Sequence, residues 1–61
     1  MARTLKELED IIFREKYEKR SEWEKVDREV EAAWEIATEE ERREFEDSGA
    51  GDMIGQLLEF M

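Results

Sequence analysis

Trp23, Val26, Val30, Ala33 and Ala37 recur at alternating spacings of three and four, and nearly every position between them is Glu, Asp, Lys or Arg. At about 100° per residue these positions fall on one stripe of an α-helix. The segment therefore predicts an amphipathic helix over about 22–37, with both tryptophans, Trp23 and Trp34, on or beside the face to be buried. This pattern decides the class of the chain. With 48% charged and 39% hydrophobic residues, scattered apolar side chains would leave it disordered, whereas apolar side chains gathered on helical stripes can still bury a core.

The remaining helices follow from capping chemistry and phase. Thr4, Ser21 and Thr38 each stand three residues before a glutamate (Glu7, Glu24 and Glu41), the spacing at which a hydroxyl caps an amide and the carboxylate reaches back. A first helix is expected over 5–19. Leu5, Leu8 and Ile12 form its main stripe with Ile11 at the flank, Phe13 and Tyr17 form a second stripe, and Lys16, Lys19 and Arg20 complement the negative end of the dipole. With Arg14 and Tyr17 these cations make a small basic and aromatic cluster, read as helix termination rather than as a nucleic-acid patch. The connection at Arg20 and Ser21 contains no Gly or Pro, so the Ser21 cap is expected to shape it. So short a link predicts an antiparallel hairpin of the first two helices. A break at Thr38 opens a short helix over 39–47. The stretch from Ser48 to Gly51 ends it, and Asp52 is expected to cap a last helix over 53–61. There Met53, Ile54, Leu57, Leu58, Phe60 and Met61 span about 160° of the circumference. A helix of that length is not stable alone in water and must dock. Residues 1–61 thus read as one all-α domain, a small three- or four-helix bundle built on an antiparallel helical hairpin.

Composition removes several kinds of function. The chain has no Cys and no His, so it lacks disulfides, thiolate metal sites, the commonest neutral metal ligand and the usual general base. No enzyme activity, cofactor or metal is expected. Asp47 and Asp52 flank a glycine-containing loop but lack the alternating ligands and terminal bidentate Glu of a calcium loop. The N-terminal residues contain no apolar run suited to a leader, and no stretch approaches a membrane span; a cytoplasmic protein is expected.

Charge gives the strongest functional indication. Residues 1–20 hold six Lys or Arg against five Asp or Glu, a net of +1, while residues 21–61 hold four against fourteen, a net of −10. An acidic surface of this kind disfavours direct contact with nucleic acid or anionic membrane and suits a basic protein partner. Solubility alone is the plainer explanation. The acidity is densest at Glu39, Glu40, Glu41, Glu44, Glu46 and Asp47, against only Arg42 and Arg43. Carboxylates in rows on a rigid helix can imitate the phosphates of a duplex. In size and acidity the chain resembles small phage or mobile-element proteins that bind and disable a host enzyme, and that resemblance implies an inhibitor. The first expectation is a non-enzymatic acidic module that docks on a larger, basic protein through these carboxylates and through Leu58 and Phe60 of the last helix. The alternative is a structural or regulatory homo-oligomer, such as a homodimer, that buries the excess apolar surface of the first and last helices.

Overall fold

A computed structural model describes residues 3–60 and contains four helices: α1 (Leu5–Arg14), α2 (Arg20–Ile36), α3 (Glu39–Asp47) and α4 (Ala50–Phe60). Among the described residues there is no strand.

Local chemistry starts α1 where expected. Thr4 is extended (φ −78°, ψ 164°), its Oγ1 accepts from the Glu7 amide at 3.2 Å, and Glu7 Oε1 accepts from the Thr4 amide at 3.1 Å. Two first-turn donors are thereby satisfied reciprocally.

The end of α1 departs from expectation: the helix stops at Arg14 rather than near 19, with Glu15 extended (φ −78°, ψ 147°). The cause is tertiary. Trp23 is 1% exposed, and a buried indole N–H without an acceptor costs roughly 1–3 kcal/mol. Its acceptor is the carbonyl of Tyr17, at 3.0 Å, and the Tyr17 ring packs edge-on against the indole with centroids 5.0 Å apart. Residues 15–18 leave the helical path to make this contact, so Tyr17 contributes to the core from the connection and not from a helical stripe. Phe13, the other member of the expected second stripe, remains 47% exposed.

This connection also overturns the expected cap of α2. The helix begins at Arg20 with Lys19 as N-cap and no side-chain capping bond. Ser21 lies inside the first turn, and Glu24 becomes the fifth helical residue, beyond the four whose N–H groups lack an intrahelical acceptor. Glu24 instead pairs with Arg20 at 3.2 Å.

The break before α3 forms as expected, with Ala37 and Thr38 both extended. No basic residue occupies the last turn of α2. Arg42 of α3 supplies the missing cation: its Nε donates to the Trp34 carbonyl at 2.8 Å, its Nη2 donates to the Glu35 carbonyl at 3.4 Å, and its guanidinium lies 5.4 Å from the Trp34 ring centroid. Free carbonyls and the negative helix end are satisfied together.

Gly49 ends α3 with φ 82°, a left-handed conformation that side chains rarely tolerate. Ser48 then joins the two helices, since its Oγ donates to the Phe45 carbonyl at 2.7 Å and accepts from the Ala50 amide at 3.2 Å. This places the start of α4 at Ala50, three residues before the expected 53, and Asp52 lies in the first turn rather than at the cap. Met61 lies outside the described residues.

The core draws on every helix: Leu5, Leu8 and Ile12 of α1, Trp23, Val26 and Ala33 of α2, Phe45 of α3, and Ala50 and Ile54 of α4. Val30, Trp34, Leu57 and Leu58 are half-buried against it. Since α4 packs on all three other helices, it is an integral part of the fold.

Two outcomes follow from this local chemistry. Arg42→Ala should lower unfolding stability by about 1–2 kcal/mol, the scale of lost hydrogen bonds to a charged group. Arg42→Lys should recover less than half of the loss, because a single ammonium cannot reproduce the planar fork; equal urea midpoints for all three proteins would refute the bridging role. The second concerns Glu7, whose pKa is lowered from 4.5 by the Thr4 backbone amide first and the Thr4 hydroxyl second. A depressed folded pKa gives stability that is fully present above the unfolded value and is lost as pH falls through the folded value. An NMR titration should therefore place the Glu7 carboxyl below 4.5, and Thr4→Ala should move it back up.

Candidate functional site

The α3 carboxylates begin on a firmly fixed helix. Thr38 Oγ1 accepts from the Glu41 amide at 3.1 Å, and Glu41 Oε1 accepts from the Thr38 amide at 3.3 Å and from the Thr38 hydroxyl at 3.1 Å. Glu41 is half-buried by this reciprocal cap. It serves the helix start and is not a free surface charge.

The other five acidic side chains do not share one face. Glu39, Glu40, Glu44 and Asp47 lie together on the outer side of α3, where Arg43 interrupts them. Glu44 and Asp47 also border an open groove against α1, lined on the far side by Thr4, Lys6 and Glu9. Glu46 stands apart. Successive helical residues turn by about 100°, and this carries Glu46 away from its acidic neighbours into a second groove with Trp34, Phe45, Gly51 and Asp52.

Helix polarity gives these charges unequal effects. Glu39, Glu40 and Glu41 occupy the first turn of α3, where the positive end of the dipole favours them. Glu44, Glu46 and Asp47 sit near the other end, and no basic residue occupies the last turn. Negative charge there opposes the dipole, at a cost of a few tenths of a kcal/mol to about 1 kcal/mol each at the surface. Asp52 in the first turn of α4 is favourably placed.

The two apolar side chains expected to join this surface separate. Leu58 is half-buried against the core, whereas Phe60 is 82% exposed. Two residues along a helix differ by about 200° in direction, so the pair occupies opposite flanks of α4. Neither lines the grooves that hold the α3 carboxylates. Leu58 is thus a packing residue, and Phe60 is an exposed one away from the acidic face.

Trp23 is enclosed in the core, while Trp34 reaches a surface groove as well as the core. Sequence reasoning missed that groove. Its one visible signal was Gly51, which stands within α4 without needing a positive φ. Asp47 and Asp52, considered above as a loop pair, line different surfaces and do not converge. Among the described residues no group of three or more carboxylates is placed to hold a metal ion, and no helix is long and apolar enough to cross a membrane.

No protein-family model, curated protein or solved structure matches the chain.

Proposed function

We propose that this protein is a non-enzymatic acidic binding module, built on α1 and α2 as an antiparallel hairpin, that docks on a larger basic protein. In the sharpest form of this reading it inhibits that protein by occupying a site shaped for nucleic acid. The supporting observation is the row of Glu39, Glu40, Glu44 and Asp47 on the outer side of a doubly fixed helix. Glu44 and Asp47 hold their charge near the helix end that disfavours it. Solubility needs charge but not charge at that end, whereas a basic site responds to the spacing of negative groups along a rigid element.

A second reading rests on a different observation. Ile36 is 79% exposed and Phe60 is 82% exposed, and large apolar side chains left in water favour association. A homo-oligomer would cover them, although two copies would each bring a formal charge of −9 to the contact.

The two readings separate in one set of measurements. Glu39→Gln, Glu40→Gln, Glu44→Gln and Asp47→Asn in one chain leave the Glu41 cap untouched and change the formal charge from −9 to −5. This variant should melt no lower than the native protein. It should capture from a lysate much less of any basic nucleic-acid-binding protein, and duplex DNA should compete with the native capture. The loss should come from slower association and should grow less marked as salt rises, because screening acts within about 8 Å at physiological ionic strength. Capture unaffected by the four substitutions, by salt and by DNA would refute the acidic module. A concentration-stable dimer in the ultracentrifuge that dissociates on Phe60→Ala would establish the homo-oligomer instead.

A further inference from the structure

The groove that Glu46 enters differs in chemistry from the outer face of α3. Trp34 of α2, Phe45 and Glu46 of α3, and Gly51 and Asp52 of α4 meet there. The indole and phenyl rings stand edge to face with centroids 6.4 Å apart, and Glu46 and Asp52 are both exposed. Among the described residues neither carboxylate pairs with a cation. Gly51 keeps the aromatic surface uncovered: a Cβ at that position would lie 3.7 Å from Phe45 Cε1, in ordinary van der Waals contact. Nothing in the backbone calls for glycine there, since the only positive φ among the described residues is at Gly49, and glycine in a helix costs roughly 0.5–1 kcal/mol relative to alanine.

We propose that this groove receives a Lys or Arg side chain of the basic protein partner. The inference rests on the acidic-module reading and names the contact through which it acts. Lys and Arg combine an apolar stem with a cationic head. The exposed ring surface of Trp34 and Phe45 suits the stem and attracts the cation through its π-electrons. Glu46 and Asp52, from two different helices, offer carboxylates for charge-assisted hydrogen bonds. An anion would meet two like charges, and a neutral apolar group would desolvate both carboxylates without replacing the lost water. A second copy of this chain would arrive with the same formal charge of −9. Arg42 does not occupy the groove. It stacks on Trp34 but is not among the lining residues, and its donors are committed to the carbonyls of Trp34 and Glu35; the two carboxylates outnumber its single charge.

The test follows the location of binding by NMR, using the full chain and N- and C-capped hexalysine and hexaarginine peptides at physiological salt, with capped hexaserine as control. Both cationic peptides should shift the Trp34 indole N–H and the amides of Gly51 and Asp52 saturably, while the Trp23 indole N–H stays still. Gly51→Ala keeps every charge and should melt at or above the native temperature, yet bind several-fold more weakly because its methyl group covers the ring. Glu46→Gln with Asp52→Asn should weaken binding by about five- to tenfold, the scale of two exposed ion pairs and a lost cation contact. Shifts confined to Glu39, Glu40, Glu44 and Asp47, with Trp34 and Gly51 unmoved, would overturn the groove and leave the acidic module standing. Native affinity in both variants would also overturn it. The absence of saturable shifts anywhere would remove the module and the groove together.

Discussion

The burial of Trp23 is the constraint on which the arrangement depends. A chain of 61 residues without cysteine has no covalent staple, and the net stability of a domain this small is only several kcal/mol. One indole that is 1% exposed therefore carries a large share of the available apolar burial. Its N–H cannot go unpaired, and the Tyr17 carbonyl that pairs it belongs to the connection between α1 and α2. Three features follow from that single bond: the early end of α1, the extended path of residues 15–18, and the start of α2 ahead of Ser21.

Where structure is set by neighbours in sequence, the sequence was readable. Both boxes that formed, at Thr4 and Thr38, close within three residues and need no tertiary help. The matching pattern at Ser21 failed because a capping box works only at the helix start, and a tertiary contact moved that start. The same asymmetry explains α4. The stretch from Ser48 to Gly51 was legible as a breaker, but which glycine would take the positive φ depended on Ala50 being buried completely and on Ser48 holding its amide. Stripe positions such as Leu5, Leu8, Ile12, Val26 and Ile54 entered the core, whereas Phe13 and Phe60, whose phase also suited burial, lie beyond the surface that four short helices can cover.

The candidate site was legible as composition but not as geometry. A run of acids from Glu39 to Asp47 is visible in one dimension, yet the helical turn distributes it among a cap, an outer face and a groove. The partners that give Glu46 a distinct environment, Trp34 and Asp52, are separated from it in sequence and arrive only through packing. Arg42 shows the same limit. In sequence it merely dilutes an acidic run, while in the fold it closes the end of another helix.

Charge links stability to the proposed binding. A formal charge of −9 on so small a body repels itself, and carboxylates near the C-terminal end of α3 add a local opposition to the dipole. A cation held between Glu46 and Asp52 would relieve both effects. Any ligand that binds only the folded chain raises its stability by mass action, and here the electrostatic part of that gain is drawn from repulsion already present in the free protein. The acidic surface is then more than a coating on an independent fold. It leaves the free domain less stable than its core alone would make it, and a basic partner would return that stability on binding.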